Sequence, residues 1–141
     1  MQVSFQRTSP LVPLPLYQTA GSIAFDIAVL EEKTLEASEI YLFSTGLIIQ
    51  VPKGYGLILA NRSSSAKKKL TLINGIGIID QDYCGPKDEL YLAVKNIGET
   101  IYKVQVGERL AQGFFIPIER VEFIEKAIDV KNSRGGFGST G

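Results

Sequence analysis

The chain contains no histidine, no tryptophan and a single cysteine, Cys84. The first absence removes every Ser-His-Asp and Cys-His nucleophilic arrangement and every imidazole-ligated metal. With one thiol, neither an intrachain disulfide nor a cysteine-rich zinc site can form. An excess of charge is missing as well, since 15 Lys and Arg balance 15 Asp and Glu. General nucleic-acid binding relies on surplus cations to neutralise phosphates and is not expected. No run approaches the roughly 18–20 apolar residues that cross a bilayer. The opening Met1-Gln2-Val3-Ser4-Phe5-Gln6-Arg7 lacks the basic and apolar regions of a signal peptide. A soluble cytoplasmic protein with no membrane partner is the expectation, and a free Cys84 suits a reducing compartment. Chemistry then falls to carboxylates, Lys, Tyr, Ser or Arg, or to a metal that the substrate brings.

What is present punctuates the 141 residues as an all-β protein with a single core. Short runs rich in Ile, Val, Tyr and Phe are bounded by Gly, Pro, Asn and Asp. They predict strands over Val3–Arg7, Ile23–Val29, Ile40–Val51, Gly56–Ala60, Lys69–Ile73, Ile76–Asp80, Glu89–Val94, Ile101–Val106 and Ala111–Ile118. Pro10, Pro13 and Pro15 keep the stretch after the first strand extended but unable to pair continuously. A short helix is expected near Ser64–Lys69, with a second candidate at Leu30–Ala37. The closing Ser133-Arg134-Gly135-Gly136-Phe137-Gly138-Ser139-Thr140-Gly141 can build almost no core and reads as a mobile tail.

Several segments have the residue types for chemistry. Asn74-Gly75, between two β-prone runs, is a strong hairpin signal, because a type I′ turn needs positive φ at both central positions. Gly77, in the return strand, leaves backbone open to close approach by a ligand. Asp80 ends an apolar strand, where partial desolvation would raise its basicity for general-base work, and Tyr83 could offer an aromatic face beside it. Arg62-Ser63 opens the short helix, and guanidinium, hydroxyl and free N–H groups all suit phosphate oxygens. Lys67, Lys68 and Lys69 read as a solvated basic face. In the tail, the GxGxxG string from Gly136 to Gly141 is not a dinucleotide fingerprint, since no helix follows it. Its glycines, with Arg134 and Phe137, leave two readings open: a phosphate-grasping flap or simple disorder.

Five segments occur in order: Gly21-Ser22-Ile23-Ala24-Phe25-Asp26-Ile27, Arg62-Ser63-Ser64, Asn74-Gly75-Ile76-Gly77-Ile78-Ile79-Asp80-Gln81-Asp82-Tyr83, Gly107-Glu108-Arg109-Leu110-Ala111-Gln112 and Gly135-Gly136-Phe137-Gly138-Ser139-Thr140-Gly141. Together they resemble the ordered motifs of the trimeric dUTP pyrophosphatase (dUTPase) family, from near residue 20 to the end. The resemblance implies a distorted jelly-roll β-barrel over residues 1–126 and an arm over 127–141. It also implies a homotrimer with three sites at subunit interfaces. The implied reaction splits dUTP into dUMP and pyrophosphate, which keeps uracil out of DNA and supplies dUMP for dTMP synthesis.

The resemblance assigns roles residue by residue. Asp80 resembles the base for the water that attacks the α-phosphorus. Tyr83 resembles the residue under the deoxyribose, and Asn74, Gly75, Ile76, Gly77 and Ile78 resemble the segment that reads uracil. Arg62, Ser63, Ser64 and Gln112 resemble the phosphate-positioning groups. Arg134, Gly138, Ser139 and Thr140 resemble the arm residues on the terminal phosphates, with Phe137 stacking on uracil. Asp26 resembles the carboxylate that contacts Mg²⁺ through water, the ion being held mainly by the triphosphate. Four departures stand out: Ala24 for a usual Gly, Ser64-Ser65 for Gly-Leu, the longer loop Pro86-Lys87-Asp88, and Arg134 directly abutting Gly135. Two alternatives remain: a dCTP deaminase of the same fold, and a nucleotide-binding regulator without turnover. The deaminase family lacks the Gly-rich arm, and its base Glu has no clear counterpart.

Overall fold

The computed structural model describes residues 1–129 and Gly135. Its strands are β1 (Phe5–Arg7), β2 (Phe25–Ala28), β3 (Lys33–Leu35), β4 (Ile40–Ser44), β5 (Leu47–Ile49) and β6 (Tyr55–Asn61), then β7 (Leu70–Leu72), β8 (Ile76–Ile79), β9 (Tyr91–Asn96), β10 (Tyr102–Val104) and β11 (Arg109–Pro117). One turn of helix, α1 (Ser65–Lys68), interrupts them. All ladders are antiparallel, in the orders β2-β11-β6-β8, β4-β9-β7, β1-β5 and β10-β3. Neighbours in space are mostly distant in sequence, as the expected distorted jelly roll requires.

The sheets share one core. Ile27, Val29, Leu35, Phe43, Leu57, Leu92 and Val104 are buried within it; Leu35, Phe43, Leu92 and Val104 alternate along their strands with exposed or half-exposed residues, whereas residues 56–59 of β6 are buried on both faces. Among the described residues the buried polar side chains are Thr45, Ser65 and Asn96, and no fully buried side-chain N or O atom lacks a partner. Asn96, for example, donates to the Leu35 and Thr100 carbonyls at 3.1 and 2.8 Å and accepts from the Gly98 N–H at 2.9 Å.

Three local expectations need correction. Leu30–Ala37 is not helical; its middle forms β3, whose Thr34 pairs with Lys103. The continuous strand over Ile40–Val51 breaks at Thr45-Gly46, where Gly46 adopts φ +67°. A Cβ on Gly46 would run into Val12 and Leu30. The Asn74-Gly75 turn is not a hairpin, because β7 pairs with β9 and β8 pairs with β6. The Gly75 N–H bonds the Leu72 carbonyl at 3.1 Å, and only Gly75 of the pair has positive φ. The turn therefore carries the chain from one sheet to another.

Two sequence departures are absorbed without strain. Ala24 keeps negative φ, and Ser65 is buried at the start of α1 with its N–H bonded to the Arg62 carbonyl.

Candidate active site

The sheet β2-β11-β6-β8 carries most of the singled-out residues. Across it, Asp26 stands opposite Gln112, Gln112 opposite Ala60, and Ala60 opposite Ile76. Opposed residues share a face, so Asp26 and Gln112 project together, with Arg62 two residues beyond Ala60. Asp26 is the hub of this end. Its Oδ1 accepts from Arg62 Nε at 2.7 Å, and its Oδ2 from Arg62 Nη2 at 3.3 Å and Arg109 Nη1 at 3.0 Å. Arg62 Nη1 also donates to the Arg109 carbonyl and Ser64 Oγ. Gln112 Nε2 bonds the Asn61 carbonyl at 3.0 Å. Ser63, next to Arg62, is exposed. Two cations around one carboxylate leave a net positive corner, which suits an anionic ligand.

Beside this corner, Glu108 ties the strand entry to α1. Its carboxylate accepts from Lys68 Nζ at 2.5 Å, Tyr102 Oη at 2.7 Å and the Gln105 N–H at 3.0 Å. Burial alone would push the Glu108 carboxyl up, but the Lys68, Gln105 and Tyr102 hydrogen bonds outweigh it and hold it below the ordinary value. The Tyr102 hydroxyl is pushed up to about 12 by burial and by Glu108. Lys68 thus has a fixed partner, contrary to a purely solvated face.

Asp80, the expected base, lies elsewhere on the sheet. It follows β8, an edge strand whose Ile76 and Ile78 are exposed, and it is itself exposed rather than half-desolvated. Asp80 lines a cavity of about 470 Å³ with Tyr55, Ile78, Ile79, Gln81 and Asp82. Gln81 Nε2 fixes this end by bonding the Tyr55 carbonyl at 3.0 Å. Tyr83 donates its hydroxyl to the Glu89 carbonyl at 2.9 Å, leaving its ring partly open to solvent. Gly77 faces Leu59, and a Cβ there would meet the Leu59 Cβ at 3.1 Å; packing against β6 accounts for the glycine without a ligand. Asn74 and Gly75 are exposed at the opposite end of β8.

Register gives the separation of the two clusters. From Asp26 to Asp80 the path crosses three strand spacings and runs four residues along β8. At about 4.8 Å per spacing and about 3.4 Å per residue, the two carboxylates lie roughly 20 Å apart in one chain. Arg134, Phe137, Gly138, Ser139 and Thr140 lie outside the described residues. Arg109, in contact with Asp26, joins the candidate site without having been singled out in the sequence. Its signal was its place three residues before Gln112, but its orientation depends on the ladder.

The dUTPase family model matches residues 11–141. The chain belongs to the dUTPase family. It is 35% identical to the deoxyuridine 5'-triphosphate nucleotidohydrolase of Helicobacter pylori (strain P12), covering all of this chain and 97% of that protein. Identity with the protein of the same name from Solibacter usitatus is 37%, with the same coverage. Among solved structures, the dUTPase from Streptococcus mutans superposes with a TM-score of 0.78 at 32% identity, over 84% of this chain and 98% of that one. The Staphylococcus bacteriophage 80alpha dUTPase with dUPNHPP gives a TM-score of 0.86 at 23% identity, over 99% and 98% of the two chains, a likeness of fold. These dUTPases share the jelly-roll-like fold expected from the sequence.

Proposed function

We infer that this chain hydrolyses dUTP to dUMP and pyrophosphate, using water as the nucleophile. The observation that carries the reading is Asp80, accessible in its cavity at the end of β8 and flanked by the Asn74–Ile78 segment and Tyr83. Asp80 orients the water and takes its proton as the water attacks the α-phosphorus, a role worth about 10²–10⁴-fold in rate. Asn74 and the main chain through Ile78 pair with uracil, and the Tyr83 ring leaves no room for a ribose 2′-hydroxyl. Donors and acceptors set for uracil go unpaired against cytosine, which discriminates by roughly 10⁴-fold. Arg62, Ser63, Ser64 and Gln112 position the phosphates. Residues 127–141 act as an arm in which Arg134, Gly138, Ser139 and Thr140 meet the terminal phosphates and Phe137 stacks on the base.

The donor set fits Mg²⁺ carried on the triphosphate. No group of three ligating side chains occurs among the described residues, and in the proposed reaction the ion is held mainly by phosphate oxygens. Asp26 accepts three N–H bonds, and a carboxylate offers about four lone-pair sites, so one remains for a metal-bound water. When bound, the ion offsets charge on the departing pyrophosphate.

The separation between Asp26 and Asp80 favours sites completed by a second copy, within a homotrimer. The exposed Ile76 and Ile78 beside Asp80 give such a partner an apolar surface to cover.

The test is incubation with dUTP, dCTP, dTTP or UTP and Mg²⁺ while pyrophosphate and ammonia are followed. Pyrophosphate from dUTP alone is expected; ammonia from dCTP, or no dUTP turnover, overturns the reading. Asp80→Asn should bind nucleotide but lose turnover.

A further inference from the structure

Strand β11 contains one irregularity, and it lies beside Asp26. Arg109 pairs with Ala28 and Ala111 with Ile27, so two steps on β11 match one step on β2. Leu110 is the extra residue of a β-bulge, and both Leu110 and Ala111 are buried. In a regular strand, alternation from the outward Gln112 would send Leu110 outward and Arg109 into the core. The bulge reverses this and turns Arg109 onto the face of Asp26, a re-aiming that bulges commonly perform.

The two guanidiniums that meet there are not equivalent. Arg62 commits four of its five N–H donors within the protein: two to Asp26, one to the Arg109 carbonyl and one to Ser64 Oγ. Its side chain is only 21% exposed. Arg109 commits one donor, Nη1 to Asp26 Oδ2, and its side chain is 46% exposed. Its other four N–H groups have no protein acceptor among the described residues. Arg62 is thus the brace of the corner, and Arg109 is the cation with donors to spare.

We propose that Arg109 is a further phosphate-binding residue of the dUTP site, beside those named above, aimed at the triphosphate by the Leu110 bulge and oriented by Asp26. The proposal rests on the dUTP reading above. A fork with open N–H groups suits phosphate oxygens bidentately, which a lysine in the same place would not reproduce.

Binding is measured with the non-hydrolysable α,β-imido-dUTP plus Mg²⁺, and separately with deoxyuridine, which carries no phosphate. Arg109→Ala should weaken imido-dUTP binding about 10- to 100-fold, the range for loss of a charge-assisted hydrogen bond, and leave deoxyuridine unchanged. Arg109→Lys should restore only part of the loss. The imido-dUTP affinity of Arg109→Ala should also depend less steeply on salt than that of the wild type. Equal weakening of both ligands would mean that Arg109 only props the pocket, and no weakening would mean a surface ion pair; either overturns the proposal. Circular dichroism checks folding, and Arg109→Gln, which keeps most of the aliphatic stem, carries the same comparison if the alanine variant fails. Wild-type protein without dUTP turnover defeats the hydrolase reading itself. Wild-type turnover with unaltered Arg109→Ala binding defeats only the role of Arg109.

Discussion

Mixing two inactive variants should restore activity if Asp26 and Asp80 serve one site from different chains. The pair is Asp26→Asn and Asp80→Asn, both nearly isosteric. Within a chain the carboxylates stand roughly 20 Å apart by strand spacing and rise, whereas a triphosphate with its base-side water needs both within a few ångströms of its phosphates. In a closed ring of copies with head-to-tail contacts, each site draws its Asp26 from one chain and its Asp80 from the next. After co-refolding at equal amounts, each requirement is met in about one half of cases, so about one quarter of sites are intact. Activity should return to about 25% of the wild-type value per site, against near zero for either variant alone. Co-refolding from urea, followed by a pyrophosphate assay, reads this directly. Recovery no greater than the sum of the two variants would refute the reasoning, because it would place both carboxylates of a working site in one chain.

Other outcomes follow from packing and charge. Gly46→Ala should destabilise the fold by about 2–5 kcal/mol, combining the αL cost with a clash against Val12 and Leu30, and urea unfolding measures it. Asn96→Ala removes three side-chain hydrogen bonds from a buried position and should cost about 2–4 kcal/mol by the same method. Glu108→Gln should lower stability at pH 7 by about 1–3 kcal/mol, because the lost carboxylate accepts from Lys68, Tyr102 and the Gln105 N–H. The folded-state value of Glu108 is depressed, so its contribution is present above the ordinary carboxylate range and disappears as pH falls through the folded value. The gap between wild type and variant in thermal melts should therefore close on acidification; a gap that widens in acid contradicts the assignment.

Much of the molecule was legible because its strands are short, apolar and cleanly punctuated. The positions of β1, β2, β6, β9 and β11 follow from runs such as Leu57-Ile58-Leu59 between Gly54 and Asn61. What escaped was decided by tertiary partners. Leu30–Ala37 reads as a helix candidate, but its Lys33–Leu35 is held extended by β10. Asn74-Gly75 satisfies every local rule for a hairpin, yet the flanking strands find better partners in β9 and β6. Within the site, Asp26, Arg62 and Gln112 were legible as chemistry and meet as neighbours on one sheet. The outward turn of Arg109 was not, because period-two reasoning sends it inward until the ladder reveals the bulge. Asp80 was legible as a carboxylate at a strand end, but its exposure reflects the open edge of β8, which no residue pattern within that strand records.

The chain's passage between sheets at Asn74-Gly75 has a consequence for how variation can be tolerated there. A true hairpin couples its two strands, so a change of turn length shifts their mutual alignment and flips side chains from one face to the other. Here β7 is indexed by β9 and β8 by β6, so the two strands have no common register to lose. Insertions or replacements at the junction would alter its shape while both flanking strands kept their places. The fold thus isolates this junction mechanically: it is a replaceable part mounted between two independent rails, and if it reads the base as proposed, nucleobase preference could be redesigned there without retuning the barrel.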